Sequence, residues 1–453
     1  MIALVKSLLV WAIWTGWHST CYSIKLTILL LTKLPLLSYI AWATFSSLAV
    51  IAALSPDLVS QYRPLVRKAA LFNCVALSAV SEVPHLIIVL KLFFIGFSRI
   101  YGTYRAVISW PFLLLDIISL AGCLGILYHQ AEDVQTMVEQ AAPFLERDST
   151  RFDAFNLLVE VFAPLWREDE LVCFKDAGYF GAEQLRENSV KRLVLEDTGT
   201  MDIYSTGFPP GSNKPIVINI HGGSWSRGSN KVPNAVLTTM ARSGEVLVMS
   251  INFRLAPKFP LPAAIIDIKR AIIWAKKAAK NFGGDPNNII LMGDSSGGHC
   301  ALLSALTANI EAFQEQTPDA DTSVQGAVLL CPALDPTNKF NISHRSGEDS
   351  WFVRACCGGD EAAAKLVHPL EYASKDMPPL LSLHGTADTL VDIKNSRCWQ
   401  ARCAEIGAKD KFDLVEMPRA HHVYFIFRSI RTIAAGLIAV DWIQHRSKLT
   451  KDR

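Results

Sequence analysis

Three absences narrow the reading of this chain. Its ten cysteines include no C-x-x-C pair with histidines at zinc spacing, so no metal site is expected. Lys and Arg number 44 against 42 Asp and Glu, a net charge of +2, so no nucleic-acid footprint is expected. Internal repeats and low-complexity linkers are missing too, which excludes a solenoid or a beaded array. Beyond residue 129, long runs without charge are also missing.

The first 129 residues hold all such runs. Half the chain is hydrophobic and its mean hydropathy is +0.24, too apolar for a purely soluble enzyme of this size. Leu34 to Leu54 is 21 residues without a charge, long enough to cross a bilayer core. Val107 to Tyr128 is 22 residues interrupted only by Asp116. Met1 to Ile24 is apolar apart from Lys6 and a few polar residues. Leu71 to Phe97 is apolar but carries Glu82, His85 and Lys91, so a span, a re-entrant piece and a surface helix all remain open. Residues 1–129 hold nine Lys or Arg against three Asp or Glu, +6, which leaves −4 for the remainder. The basic residues flank apolar runs: Arg63, Arg67 and Lys68 follow the first, and Arg99 and Arg105 precede the last. Glu132 and Asp133 follow the last run, so the positive-inside rule puts the remainder on the lumenal or outer side. The expected organisation is a membrane-anchoring helical region over 1–129 and a catalytic domain over 130–453, with membrane lipids as a partner.

Gly293-Asp294-Ser295-Ser296-Gly297-Gly298 follows the apolar run Ile289 to Met292 and precedes a helical run from His299. This is G-x-S-x-G between strand and helix, the context in which the motif presents a serine nucleophile above a sheet. About seventy residues upstream, Pro215 to Ile220 reads as a strand running into His221-Gly222-Gly223-Ser224-Trp225. The N–H groups of Gly222, Gly223 and Ser296 are the expected oxyanion hole. The serine needs a base, and the base an orienting carboxylate, in the order Ser, acid, His. Asp388 follows the strand Leu380 to Leu383, with Asp392 as competitor and possible helix cap. His421 and His422 lie in the loop after the strand Phe412 to Met417, and His422 is preferred as base. His299, just past the elbow, reads as a packed or hydrogen-bonding residue and not as a catalyst. From Ile216 onward strands and helices alternate, which predicts an α/β fold with a mainly parallel sheet and helices on both faces.

These stretches, together with Asn252-Phe253-Arg254-Leu255-Ala256-Pro257 and His384-Gly385-Thr386-Ala387-Asp388, resemble α/β-hydrolases of the hormone-sensitive-lipase type. That group includes arylacetamide deacetylase-like enzymes and mycobacterial envelope esterases. The resemblance covers about half the chain. It departs at Phe253, where the family usually has Tyr, and at Ser224-Trp225, where many members have a third Gly. It implies an acyl-enzyme mechanism with Ser295, His422 and Asp388, no cofactor, and a cap built from about 130–190 and 335–375. Phe340, Trp351 and Phe352 of the second piece are candidate acyl-pocket residues. The expected substrate is a small lipophilic carboxylic ester. An amidase, deacetylase or formamidase with the same triad is the alternative. Ser81 to His85 also resembles a piece of the membrane region of some mycobacterial lipases.

Overall fold

The structure is a computed structural model, and it describes residues 36–51, 53–54, 78–145, 149–162, 171–179, 199–207, 211–232, 234–314, 317–340, 342 and 348–451. The run Met1 to Ile24, the flanking Arg63, Arg67 and Lys68, and much of the expected first cap piece lie outside these residues. The chain divides into two compact units, one of residues 1–61 and 83–128, the other of 62–82 and 129–453. The short helical stretch at 78–82 therefore falls with the larger unit.

In the first unit, helices run over Leu36–Ile51 and Pro84–Ile100, and the Trp110–Ala141 helix begins there. Among the described residues, one helical stretch, Val107–Phe144, is long and apolar enough to cross a membrane. The polarity of this unit is reversed. Phe45, Leu48, Val89, Phe93, Leu114, Ile118 and Leu124 are exposed. Lys91, Asp116, Ser46, Ser47 and Ser119 are buried. Lys91 Nζ lies 2.7 Å from Asp116 Oδ1 and 2.7 Å from Ser46 Oγ, so the charges of the two apolar segments meet as a pair. Gly122 lets the helices close, since a Cβ there would stand 2.7 Å from Val50 Cγ1.

The larger unit is built on one sheet of eight strands in the order β1-β2-β4-β3-β5-β6-β7-β8. These are β1 (Val172–Gly178), β2 (Thr200–Ser205), β3 (Lys214–Ile220), β4 (Leu247–Ile251), β5 (Gly284–Asp294), β6 (Gly326–Leu330), β7 (Leu380–Gly385) and β8 (Phe412–Met417). β1 and β2 pair antiparallel, as do β2 and β4; the rest is parallel. Central strands are apolar along their whole length because both faces are covered. In β3, Ile216, Ile218 and Ile220 enter one core while Val217 enters the other. Ile289 and Leu291 of β5 join the first core, and Ile290 and Met292 the second. The Ala263–Ala278 and Ser296–Leu306 helices cover the first face; the Ala235–Arg242 and Ile430–Lys451 helices cover the second.

Val134, Met137 and Ala141 of the Trp110–Ala141 helix, and Leu157 and Val161 of the Ala154–Phe162 helix, belong to the second core. These residues of the expected first cap piece are core, packed beside the last helix, while Val172–Gly178 of the same piece forms an edge strand of the sheet. In the second expected cap piece, Phe352 of the Glu348–Cys356 helix is buried in the first core and Trp351 is exposed. At the β8 edge, the Gln140 side chain pairs with the Glu416 backbone, donating to its carbonyl at 3.2 Å and accepting its N–H at 2.7 Å.

Candidate active site

β5 ends at Asp294, and the chain turns at once into the Ser296–Leu306 helix. Ser295 takes φ 54° and ψ −119°, a strained conformation for a residue with a side chain. Two glycines make the elbow possible. A Cβ on Gly293 would stand 2.3 Å from the Gly297 carbonyl oxygen, and one on Gly297 would stand 2.1 Å from the Ile220 oxygen. The Ser295 amide donates to Leu330 O at 2.9 Å, which ties the elbow to β6.

His422 Nε2 lies 2.9 Å from Ser295 Oγ, and its Nδ1 lies 2.7 Å from Asp388 Oδ2. A carboxylate only accepts, so Nδ1 carries the proton and donates. Nε2 is then left with a lone pair facing the serine hydroxyl. Asp388 Oδ1 accepts the N–H groups of Leu390 at 2.9 Å and Val391 at 2.8 Å. His384 Nε2 stands 3.4 Å from Asp388 Oδ2 and 3.0 Å from Val391 O. Burial alone would raise the Asp388 pKa. The charge of His422, with hydrogen bonds from His384 and His422, outweighs it and holds this carboxyl well below the usual range. Asp392 instead accepts the Lys394 amide at 3.0 Å as the next helix begins. His421 is buried beside the site, and among the described residues neither ring nitrogen has a hydrogen-bond partner of good geometry. Burial first, and then the Arg431 charge, push it down to about 4.

The glycine loop corrects one expectation. The Gly222 N–H donates to Asp294 Oδ2 at 2.9 Å, so it is engaged and cannot face an oxyanion. Among the described residues the N–H groups of Gly223, Ser224 and Ser296 have no such acceptor. Gly223 has φ 132° and Ser224 has φ 55°, and these turn successive amides off the strand direction. Asp294 is buried, and burial raises its pKa to about 7 against the opposing Gly222 hydrogen bond. No sequence signal distinguishes which glycine amide the elbow acid takes. His221 props the loop: its Nδ1 meets Gly222 O at 2.9 Å, and its ring stacks on Phe253 at 4.5 Å between centroids.

Trp225 donates its indole N–H to His299 Nδ1 at 3.1 Å, and His299 Nε2 meets Val367 O at 3.0 Å. His299 is thus a neutral bridge from the loop to the helix after the elbow, and burial holds it down at about 3. Trp225 also packs edge-on against Phe352 at 4.9 Å and approaches Trp351 at 6.4 Å. Cys331, Asp388 and His422 bring possible metal ligands within 4.8 Å of one another. The donors are already committed: Cys331 Sγ donates to the His422 carbonyl at 3.0 Å, and both ring nitrogens of His422 are hydrogen-bonded.

A serine on a strand–helix elbow over a mainly parallel sheet, with His and Asp in line, defines the α/β-hydrolase class. The comparisons agree. Esterase LipC of Mycobacterium tuberculosis is 30% identical over 278 residues, 59% of this chain and 68% of that esterase. Esterase LipQ of the same organism is 32% identical over 237 residues, 52% of this chain and 56% of LipQ. A family model described as BD-FAE matches residues 201–402. Esterase B of Lactobacillus rhamnosis, solved in an inhibited form, superimposes with a TM-score of 0.52 at 20% identity, over 66% of this chain and 99% of that one, and shows the fold. The chain belongs to the α/β-hydrolase family of the mycobacterial Lip esterases. It spans little more than half the length of LipQ.

Proposed function

We propose that this chain is a membrane-bound serine carboxylesterase that cleaves lipophilic esters through an acyl-enzyme. The observation that carries the chemistry is the line from Ser295 Oγ through His422 to Asp388, at 2.9 and 2.7 Å. His422 Nε2 takes the hydroxyl proton as Ser295 attacks the ester carbonyl. The negative charge that forms on the carbonyl oxygen meets the N–H groups of Gly223, Ser224 and Ser296. His422 returns the proton to the departing alcohol, then activates water to release the acid. Asp388 stays ionised and holds the imidazole, in keeping with its depressed pKa. Trp225 with Trp351 and Phe352 supplies an apolar wall beside the oxyanion loop.

The membrane reading is supported by the reversed polarity of the first unit: apolar side chains face outward and an ion pair sits inside. Under this reading the whole of 1–129, apart from the stretch ending at Glu82, anchors the enzyme. The lumenal or outer placement of the catalytic unit rests on Arg99 and Arg105 before the long helix.

The test is labelling of the full-length protein by a fluorophosphonate, followed by p-nitrophenyl esters of increasing acyl length and the matching anilides. Labelling at Ser295 with ester turnover far above anilide turnover is expected. Turnover of anilides alone would move the assignment to an amidase. Release of the full-length chain by alkaline carbonate would overturn the membrane reading.

A further inference from the structure

Arg431, in the first turn of the last helix, is 1% exposed, yet it carries a full charge. Its partners come from three places in the chain. Nη2 donates to Glu82 Oε1 at 2.6 Å, to Ser81 Oγ at 2.6 Å and to Ser81 O at 2.9 Å. Nη1 donates to Asp133 Oδ2 at 2.8 Å and to the Pro418 carbonyl at 3.0 Å. Glu82 Oε2 also accepts the Ser429 hydroxyl at 2.7 Å. Asp133 is shared with Arg419, whose guanidinium also donates to His129 O at 3.1 Å. The carboxylates of Glu82 and Asp133, with Glu132 3.8 Å from Arg419, thus face two guanidinium groups, and Glu82 and Asp133 are both buried.

This cluster is built into the loop that carries the histidines. β8 ends at Met417, and Pro418 to His422 is all the chain that separates the strand from the imidazole facing Ser295. Arg431 holds the first carbonyl of that stretch, and Asp133 holds the side chain of its second residue, Arg419, which takes φ 57°. Buried ion clusters are poor stabilisers relative to apolar packing but set geometry in fixed directions. Here the fixed direction is that of the loop. The groups that hold Arg431 include the Ser81 hydroxyl and carbonyl and the Glu82 carboxylate, from residues that precede the long apolar helices in the sequence.

We propose that Arg431 is a positioning residue for the His422 loop, and that Ser81–Glu82, through it, is a working part of the catalytic unit. This rests on the reading of His422 as the base. A lysine at 431 keeps the charge but cannot reach Pro418 O, Asp133, Glu82 and Ser81 with one ammonium. Displacement of the imidazole from its line with Ser295 then lowers turnover without touching substrate binding.

The test uses the full chain in detergent micelles, with p-nitrophenyl butyrate as substrate and fluorophosphonate titration to count competent sites. Arg431→Lys is expected to lower kcat per titrated site by about ten- to a hundredfold, the cost of a small misplacement, with KM unchanged. Glu82→Gln keeps the side-chain shape and is expected to lower kcat in the same direction by less. The two substitutions together are expected to be non-additive, because they act on one network. A cluster that only stabilises the fold would lower the melting temperature and the titrated fraction while leaving kcat per site at the wild-type value, and that result overturns the proposal. A rise in KM alone overturns it too. If Arg431→Lys yields no folded protein, Glu82→Gln decides by the same readout. Ser295→Ala runs alongside. If the wild-type chain neither hydrolyses nor labels, the esterase reading fails and this proposal with it. If it does both and the variants match it per site, this proposal alone fails.

Discussion

The two units solve opposite packing problems with the same residue types. The catalytic unit buries Ile, Val and Leu on both faces of its sheet. The first unit turns Leu, Phe and Val outward and buries Lys91 against Asp116. Apolar burial drives the first arrangement, because water is the surrounding solvent. Under the proposed membrane reading it does not drive the second. There, specific pairs and close helix contact, such as that at Gly122, must hold the helices together. Under the membrane reading proposed above, one chain carries a unit suited to water and a unit suited to lipid, and each should fail in its own way.

The largest separation is expected from Ser295→Ala. Turnover should fall by roughly four to six orders of magnitude, while melting of both units and membrane retention stay as in the wild type. Ester hydrolysis with fluorophosphonate labelling measures this, and labelling of Ser296 in the variant would contradict it. Next comes Lys91→Met, which leaves Asp116 buried without its partner. A destabilisation of about 3–5 kcal/mol of the first unit is expected, largely relieved in Lys91→Met/Asp116→Leu. Thermal unfolding in detergent reads it, and kcat for a soluble ester should not move in either variant. Equal losses of kcat would mean that the two units do not fail separately.

A smaller effect is expected from Asp294→Ala, which frees the Gly222 amide and loosens the glycine loop. The loss in kcat/KM should approach that of one oxyanion donor, about 3 kcal/mol, with fluorophosphonate still able to reach the serine. The smallest effect is a pH dependence confined to the catalytic unit. His299 is held near 3 inside the fold against an ordinary 6.5, so the unfolded chain binds its proton first. Stability is therefore lost as pH falls from 6.5 towards 3, by at most about 1.4 kcal/mol per pH unit from this group. In His299→Gln, whose amide can accept from Trp225 and donate to Val367, that part of the acid slope should vanish. Denaturant melts of the soluble unfolding transition at pH 7 and pH 5 would show it; parallel slopes would count against it.

Much of the central sheet was legible, because β3, β5, β7 and β8 carry apolar runs bounded by turns and separated by helical patterns. β1 and β2 were not, since Val172–Gly178 is an edge strand with Lys175 and Asp176 in its middle and no alternating signal. The triad residues could be ordered along the chain, and the structure brings Ser295, His422 and Asp388 together. In the oxyanion loop, Gly222 and Gly223 look alike in sequence, and only the fold shows Asp294 taking the Gly222 amide. Glu82 and Asp133 were read as charges beside apolar runs. Their partner, Arg431, lies 349 and 298 residues away, beyond the reach of any local pattern. With Asp133 buried in that cluster, it no longer serves as a solvated charge flanking a span.

Gln140 has a consequence for the life of the chain before and between catalytic events. A parallel sheet forms slowly, and an open last strand invites the same strand of another copy to dock on it. By accepting and donating at Glu416, one glutamine amide occupies the place where such a strand would begin, and the proline after Met417 has no N–H with which to extend the ladder. A molecule confined to a surface meets its neighbours far more often than one free in solution. On the proposed membrane reading the enzyme would be so confined, and the blunted edge would oppose pairing of β8 between copies.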